Sequence, residues 1–450
     1  MTVSNETLDT WATDAAGPVA LHLKQKLLPV EVLEGEGGVI FPPTYADIGY
    51  NIDTLSDGTR VASIDSVGSQ ANRLEPIFKA APGAKREQWL VPQIEIVLRS
   101  EPCGECEACK NAAQEAAAAE NQAASAEATA ETEDSDEAKT KAKEQRKKAD
   151  KAKKDAAKAC TTPRPVKRSI FDLAHRAADA VVQSSPGLVE LVEKAFRDLR
   201  DGDAGPLCRL APTSLVFGVW DSRGGSGEKR PRLVRSIIRA WDVEPLHAAA
   251  QYNSVWKALD EEQRAALEKE AKAKKTKLSE KGLADAPGVF RKTEKVPQYH
   301  DGAPNPEARV LGGVLARGRI EREVTVNLVA LRGLRGANEA ETAAIRRYLL
   351  GLSLMAATAD IELFLREGCH LRCANDKDTW YQVPRRGAPK EAPLDVETIK
   401  KYATAAADHF RPKWKERWAS DDKLQYTFDL GEAKKLLAKK TEEKEAAGDA

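Results

Sequence analysis

The stretch "RVASIDSVGSQANRLEPIF", residues 60–78, reads as a β-strand that runs directly into a helix. The strand ends near Ile64, and either Asp65 or Ser66 is suited to cap the helix that follows. The apolar residues of the helix fall on one stripe: Leu74, Ile77 and Phe78. This unit predicts one strand and one helix of a mixed α+β fold.

The first turns of this helix are unusually polar, since they contain Ser69, Gln70, Asn72 and Arg73. The free backbone amides of a first turn lie at the positive end of the helix dipole, which suits a phosphate. One hypothesis is that these side chains hold a phosphate-bearing ligand. The alternative is a capped helix whose polar residues tie down the adjacent loop.

Hydrophobic patterning predicts further elements on both sides of this unit. Predicted strands cover residues 18–30, 89–100, 210–223, 233–244, 318–336 and 369–375. Predicted helices cover residues 169–185, 187–200, 260–282 and 337–368. This order predicts an α+β fold in which an antiparallel or mixed sheet carries helices on one side.

Residues 101–162 differ in composition from the rest of the chain. An Ala/Glu-rich arm is followed by an acidic turn and a Lys/Ala-rich arm, with almost no large apolar side chain. Strong helix formers dominate both arms, which predicts an inserted helical hairpin with one acidic and one basic leg. The alternative is a solvated or partly disordered tether.

The bulk composition excludes several protein classes. The 70 basic residues balance 70 acidic ones, so net charge alone does not indicate a nucleic-acid-binding protein. The first residues are polar and acidic, without the basic and apolar regions of a secretory signal, and no stretch has the apolar length of a membrane span. We therefore expect a soluble cytoplasmic protein.

The seven cysteines are not arranged as a disulfide framework, because their number is odd and three of them are clustered. Cys103, Cys106 and Cys109 have CxxCxxC spacing, and Cys160 closes the insertion. An antiparallel hairpin would bring Cys160 back to the cluster, and four thiolates suit a tetrahedral structural zinc. Free surface thiols and an iron–sulfur ligand set are the alternatives.

Basic residues surround the Gly-rich segment of residues 221–230. The segment lacks the Gly-Lys-Ser/Thr order of a phosphate-binding loop, so we interpret it as a basic hairpin. Its basic residues and those of the next strand are Arg223, Lys229, Arg230, Arg232 and Arg235.

Alternation in the next strand places Arg235, Ile237, Arg239 and Trp241 on one face. Guanidinium groups beside an aromatic ring are typical of nucleic-acid-binding sheets, while a Trp covering a sheet edge is the structural alternative. Arg319 and Arg322 add charge to another strand.

Catalytic motifs are absent from the sequence. The six histidines are dispersed, and neither a metalloprotease helix nor a nucleophile elbow occurs. Asp221 and Asp242 lie beside basic strands, where carboxylates more often orient arginines than bind a catalytic metal. We therefore expect a protein that is not an enzyme.

Five sequence blocks together resemble one family. They are "FPPTYADIGYNID", "IDSVGSQANRLEPIF", "SLVFGVWDSRGGSGEKRPRLVRSIIRAWDVE", "AAQYN" and "TVNLVALRGLRG". The combination is similar to the backbone (Cas-seven-type) RAMP subunit of type I-U, also called I-G, CRISPR effector complexes.

The resemblance implies an RRM-like, ferredoxin-like antiparallel core with inserted thumb and finger elements. With the helical hairpin and charged insertions that composition predicts, the chain divides into core residues 1–100, a cysteine-flanked insertion 101–162, core residues 163–256, a charged insertion 257–310, core completion 311–440 and a frayed tail 441–450.

The function implied by the resemblance is a subunit that oligomerises head to tail along CRISPR RNA. Such a subunit presents the guide for pairing with target DNA, beside other effector-complex subunits. Two other functions stay open: a RAMP ribonuclease using Asp221 or Asp242, and a zinc-stabilised protein-interaction scaffold. The residues themselves supply the expected RNA contacts, namely Ser69, Gln70, Asn72, Arg73, Arg223, Lys229, Arg230, Arg232, Arg235, Arg239, Trp241, Arg319 and Arg322.

Overall fold

The computed structural model of the chain describes residues 3–45, 49–133, 135–158, 160–161, 163–220, 229–247, 256, 258–276, 278, 281, 283, 311–411, 424–436 and 438. Its strands are β1 Ala20–Pro29, β2 Gly38–Ile40, β3 Thr44–Tyr45, β4 Gly49–Tyr50, β5 Ile52–Thr54, β6 Arg60–Asp65, β7 Glu95–Glu101, β8 Arg164–Ser169, β9 Val219–Trp220, β10 Lys229–Arg230, β11 Val234–Trp241, β12 Val243–His247, β13 Leu311–Ala316, β14 Ile320–Asn327, β15 Phe364–Arg366, β16 Cys369–Cys373, β17 Trp380–Val383, β18 Lys390–Glu391 and β19 Gln425–Thr427.

The α-helices of the described residues alternate with these strands in an α+β arrangement, which confirms the predicted fold class. They are α1 Asn5–Thr13, α2 Val67–Leu74, α3 Glu107–Glu133, α4 Asp136–Lys158, α5 Ala180–Gln183, α6 Leu188–Arg200, α7 Gly205–Leu210, α8 Thr213–Val216, α9 Glu261–Ala273, α10 Leu328–Gly333, α11 Glu339–Ala357 and α12 Val396–Phe410. No helix of the described part is long and apolar enough to cross a membrane.

The chain forms two compact units, and each is built from three separate segments. The first unit contains residues 1–77, 232–333 and 349–404. The second contains residues 78–231, 334–348 and 405–450.

A large antiparallel sheet forms the centre of the first unit. Its strand order is β15-β16-β1-β14-β11-β6-β5, with β17 also paired to β1. β1 and β14 pair over eight residues, from Ala20 opposite Asn327 to Leu27 opposite Ile320. Alternating burial along both strands gives the sheet one apolar face and one polar face.

Helix α2 packs on the apolar face, where Ala71 and Leu74 are buried. Ser66 caps the helix, because its side chain accepts a hydrogen bond from the Ser69 amide at 3.2 Å. The buried cluster around β6 and β11 includes Ile64, Ile238 and other aliphatic side chains. Burial of such side chains contributes about 1.5–3 kcal/mol each. The strand-to-helix unit is thereby fixed to the sheet.

The second unit contains a three-stranded sheet with the order β19-β7-β8, in which β19 and β7 are parallel. Tyr348 is fully buried, stacks on Phe410 with ring centroids 4.8 Å apart, and donates a hydrogen bond to the Leu90 carbonyl at 2.7 Å. Helices α3 and α4 form an antiparallel hairpin in the same unit.

Several predicted elements were partly wrong. Residues 169–185 contain two 3₁₀ turns and the four-residue α5, because Ser169 and Asp179 cap short turns instead of continuing one helix. Residues 210–223 contain α8 before the two-residue β9. All four residues of α8 are buried, and periodicity cannot distinguish a short buried helix from a strand.

The predicted strand at residues 318–336 was too long. It ends at Asn327, whose side-chain oxygen accepts a hydrogen bond from the Ala330 amide at 2.9 Å and so begins α10. The predicted helix at residues 337–368 ends at Ala357, and its last part forms β15.

Candidate nucleic-acid interface and cysteine cluster

Asp65 lies at the junction of β6 and α2 and is 1% exposed. One carboxylate oxygen accepts hydrogen bonds from the Ser69 hydroxyl at 2.7 Å and from Arg366 at 3.4 Å. The other accepts hydrogen bonds from the Gln70 side-chain amide at 2.6 Å and from Arg73 Nε at 3.1 Å. A buried carboxylate needs such compensation, since an unpaired charge is expensive to bury.

Gln70 links this carboxylate to the neighbouring strands. Its side-chain oxygen accepts hydrogen bonds from the Ser236 hydroxyl at 2.7 Å and from Arg322 Nε at 3.2 Å. Arg322 also donates to the Gln25 side chain at 2.9 Å. Burial lowers the pKa of Arg322, which is only 3% exposed. These side chains form a continuous polar network beneath the sheet.

Two of the expected RNA contacts, Gln70 and Arg322, lie inside this buried network. Gln70 is fully buried and Arg322 nearly so, and both form hydrogen bonds with other side chains of the protein. Ser69 is half-buried and its hydroxyl is directed to Asp65. The alternative of a capped helix that ties down its surroundings therefore describes Gln70 and Ser69 better than a ligand clamp does.

Asn72 and Arg73 occupy more open positions on the same helix. Asn72 is exposed, and the Arg73 side chain is 30% exposed although it also donates to the Leu365 carbonyl at 2.7 Å. Arg366, the second arginine on Asp65, is 24% exposed. Two cations therefore reach the surface around one buried carboxylate.

The polar sheet face is the opposite face of the first unit's sheet, and strand register orders its side chains in rows. The face consists of His22, Lys24, Lys26, Arg235, Ile237, Arg239, Trp241, Glu321, Glu323, Thr325 and Tyr381. β11 contributes Arg235, Ile237, Arg239 and Trp241 to it, as the alternation predicted.

One row of the polar sheet face contains no carboxylate over four strands, and Glu391 on β18 follows it beyond Tyr381. It runs from Tyr381 through His22 and Thr325 to Arg235, which is exposed. Strands lie about 4.8 Å apart, so four strands spread this row over roughly 14 Å. His22 Nδ1 lies 3.0 Å from the Thr325 hydroxyl, and burial lowers the pKa of His22. The four-residue row therefore has an aromatic ring at one end and a guanidinium at the other.

The remaining rows contain compensated charges. Glu323 lies 3.4 Å from Lys24 and 3.8 Å from Arg239. Arg319, just before β14, pairs with Glu321 at 2.8 Å and lies over the Trp241 ring at 4.4 Å from its centroid. Trp241 thus already has a cation on one side of its ring, which leaves at most the other side for stacking.

The basic hairpin is described at its paired strands β9 and β10, while residues 221–228 between them lie outside the described residues. Lys229 is exposed and pairs in register with Trp220, and Arg230 pairs with Val219. Arg232 follows, but Arg223 and Asp221 lie outside the described residues, as does the tail from residue 441.

Sequence reasoning missed His22, Lys24 and Tyr381 as members of the polar sheet face. The alternation of β1, with Leu21 and Leu23 buried, was visible in the sequence. Its pairing with β14 and β17 was not, because register between distant segments leaves no local signal.

The four cysteines predicted as a metal site lie together at the base of the α3/α4 hairpin. All four Sγ atoms lie within 4.8 Å of one another, with Cys103 to Cys109 at 3.8 Å and Cys106 to Cys160 at 4.0 Å. Tetrahedral zinc with Zn–S bonds of 2.3 Å separates its sulfurs by about 3.8 Å. The cluster is compatible with a structural metal site.

Backbone geometry supports this donor set. The amides of Cys106 and Cys109 point at the sulfurs of Cys103 and Cys106, at 3.3 and 3.4 Å. Gly104 has a φ of 75°, a conformation that favours glycine and forms the tight turn between the first two cysteines. Hydrogen bonds from Thr161 lower the pKa of Cys106 to about 5, whereas hydrogen bonding with Cys160 raises that of Cys109 to about 12.

Comparison with known proteins identifies the family. The sequence matches the family described as CRISPR-associated protein GSU0053 (Cas_GSU0053) over residues 21–165 and 163–245. The two overlapping segments cover half of the 450-residue chain. The chain belongs to this family. It is a Cas-seven-type family of CRISPR systems, as the sequence blocks indicated, and membership gives the protein a role in CRISPR defence. No curated protein matches the chain.

The stretch shared with the GSU0053 family contains the cysteine cluster and part of the polar sheet face, whereas β14 and β17 lie outside it. It includes β1, β6, α2 and β11 of the first unit and the whole cysteine hairpin of the second. Among the described residues, the four cysteines are the one group of three or more His, Cys, Asp or Glu side chains close enough to hold a metal. Asp242, one of the two carboxylates considered for catalysis, lies in a turn with a φ of 51°.

Proposed function

We propose that this GSU0053-family protein is an RNA-binding backbone subunit of a CRISPR effector complex. It holds CRISPR RNA, oligomerises head to tail along it, and presents it to target DNA beside other subunits. The row from Tyr381 to Arg235 on the polar sheet face carries the proposal. Family membership supports the CRISPR context.

The row has the two chemical features that single-stranded RNA requires. Tyr381 offers a ring on which a base can stack, and Arg235 offers an exposed guanidinium to phosphate. Stacking is worth about 1–3 kcal/mol per base, and phosphate contacts make binding salt-dependent. Asn72, Arg73 and Arg366 lie on the α2 side of the sheet and would supply separate polar and basic contacts there.

The test compares matched variants in anisotropy titrations with a labelled single-stranded RNA. Tyr381→Leu is expected to weaken binding about 5- to 100-fold, the range of one lost stacking contact. Tyr381→Phe keeps the ring and is the control. Equal affinities for these two variants would contradict stacking at this position.

The charge contact is tested separately through salt dependence. Arg235→Gln with Arg239→Gln is expected to reduce the slope of log affinity against log salt by about 1.4, since each single-strand phosphate contact contributes about 0.7. Lys269→Gln with Lys272→Gln removes the same charge from exposed positions on α9 and is the control. An unchanged slope in the Arg235/Arg239 variant would overturn the proposed contact.

Two further parts of the proposal concern architecture and chemistry. An RRM-like core remains part of the proposal, and the central antiparallel sheet with α2 packed on its apolar face is compatible with it. The protein acts without catalysis of its own. Incubation of RNA with the purified protein and magnesium should therefore leave the RNA intact.

The cysteine cluster binds one structural zinc under this proposal. The metal would hold the two ends of the hairpin together, since Cys160 follows α4 and the other three ligands precede or begin α3. Metal analysis should find one zinc per chain, lost in Cys106→Ser and kept in the control Cys373→Ser, whose cysteine lies outside the cluster. Absence of zinc from the wild-type protein would contradict the proposed zinc site but not the proposed RNA binding.

The same cluster favours a second candidate function, a zinc-stabilised scaffold for protein contacts. Loss of subunit assembly on removal of the hairpin, with RNA affinity unchanged, would favour it over the first.

A further inference from the structure

The α3/α4 hairpin separates its charges into an internal and an external set. Arg146 bridges Glu120 at 2.7 Å and Glu127 at 2.6 Å, and Lys153 bridges Glu120 at 2.7 Å. The hydrogen bonds that Arg146 donates to these carboxylates raise its pKa, so it stays charged. The internal set therefore fixes the register of the two helices.

Alanines complete the contact between the helices. Ala123 on α3 and Ala142 and Ala149 on α4 are buried, although the hairpin contains almost no large apolar side chain. Small side chains allow two helices to approach closely. The hairpin is thus a narrow arm with its ends at the cysteine cluster, not a second hydrophobic core.

The external set is strongly basic on α4, which has ten basic and five acidic residues. Lys143, Lys147, Lys151 and Lys154 are exposed, and in the described part of the chain none of them forms an ion pair. Their spacing of i, i+4, i+8 and i+11 places them on one stripe about 80° wide and roughly 16 Å long. We call these four residues the lysine stripe.

Three members of the lysine stripe repel one another, although Asp150 and Asp155 lie four residues from Lys154 and Lys151 and offset part of this repulsion. Like charges four residues apart destabilise a helix, and here two such steps follow each other. A bound polyanion removes that repulsion. One DNA strand carries a phosphate every 3.4 Å of helix axis, so the stripe is about as long as five phosphates.

The absence of aromatic side chains decides which nucleic acid fits. Residues 107–158 contain no Phe, Trp or Tyr, so the arm offers nothing on which an unpaired base can stack. A duplex hides its bases and exposes its phosphates. The lysine stripe therefore suits a duplex, whereas the polar sheet face, with Tyr381 and Trp241, suits a single strand.

We propose that the lysine stripe of α4 binds the phosphate backbone of duplex DNA, without reading its sequence, at a site distinct from the RNA-binding sheet face. The proposal does not depend on the sheet face binding RNA. It gives this neutral chain a second, purely electrostatic nucleic-acid contact.

The experiment measures binding of the full-length protein to a labelled 24-base-pair DNA duplex by anisotropy over a salt series. Lys143→Gln with Lys147→Gln is expected to weaken binding by up to about 60-fold at 0.1 M salt and to lower the salt slope by about 1.8, since each duplex phosphate contact contributes about 0.9. Glutamine keeps helix propensity similar to lysine.

The matched control is Lys141→Gln with Lys148→Gln on the same helix. These exposed lysines lie about 130° around the axis from the first pair, and their loss changes net charge equally. A larger effect for the stripe pair on duplex DNA, with single-stranded RNA binding unchanged in both variants, supports the proposal. Equal effects of the two pairs, or none, overturn it.

Self-association provides one more decisive outcome. If the stripe pair leaves duplex affinity unchanged but abolishes a salt-sensitive association of the protein with itself, the stripe binds the acidic α3 of a second copy. That outcome overturns the DNA proposal. Circular dichroism of each variant shows whether the hairpin is folded.

Discussion

Replacement of Asp65 by alanine tests the interpretation of the opening strand-to-helix unit as a structural junction. The carboxylate is 1% exposed and accepts hydrogen bonds from Ser69, Gln70, Arg73 and Arg366. Its removal leaves several donors without their acceptor.

The expected cost follows from the exposure of those donors. Gln70 is fully buried, so its amide loses a partner with no replacement by water, and Ser69 is half-buried. Each buried donor left unpaired costs about 1–3 kcal/mol. Arg73 and Arg366 are 30% and 24% exposed and regain water, so their contribution is small. Asp65→Ala should therefore lower the free energy of unfolding by about 2–4 kcal/mol. This corresponds to a melting temperature roughly 5–15 °C lower for a unit of roughly 200 residues.

The assay is thermal unfolding followed by far-ultraviolet circular dichroism and tryptophan emission. Asp57→Ala is the matched control, because this exposed turn carboxylate accepts only a local hydrogen bond from the Thr59 amide at 2.9 Å. We expect Asp57→Ala to melt within a few degrees of wild type. If the two variants melt at the same temperature, the network around Asp65 does not stabilise the fold as argued.

Three other variants address separate sites. Asn72→Ala should weaken RNA retention without changing the melting temperature. Gln70→Ala should lower the melting temperature without changing RNA retention per folded molecule. The reverse pattern would show that Gln70 contacts RNA. Burial lowers the pKa of His22, so the unfolded chain binds this proton at a higher pH than the folded chain, and stability falls as the pH drops below about 6.5. His22→Gln should reduce the loss of stability between pH 6.5 and 5, as measured by urea midpoints, and an unchanged pH profile would refute this. Zinc removal by a chelator should lower the protection of the amides of residues 107–158 from hydrogen exchange. Unchanged protection would show that the hairpin is stable without metal.

The sequence predicted the elements whose signals are local. The alternation of Val234 to Trp241 gave β11 and the face on which Arg235 and Arg239 lie, and the helix formers of residues 107–158 gave the two arms. The cysteine spacing together with an antiparallel hairpin predicted that Cys160 returns to the other three.

The features that escaped prediction depend on long-range pairing. Gln70 was interpreted as a ligand contact because its partners, Ser236 and Arg322, are 166 and 252 residues away in the chain. The row from Tyr381 to Arg235 needs the register of four strands, which no single segment encodes. Short buried stretches such as α8 failed for a different reason, since burial on all sides removes periodicity.

The most direct test of the central claim is sequencing of the RNA that co-purifies with the protein when it is expressed beside a CRISPR array. Our account predicts discrete RNAs of uniform length that carry CRISPR repeat sequence, and predicts that the variant Arg235→Gln/Arg239→Gln with Tyr381→Leu loses them while remaining folded. Purification without RNA, or with cellular RNA of random length and sequence, would contradict the account.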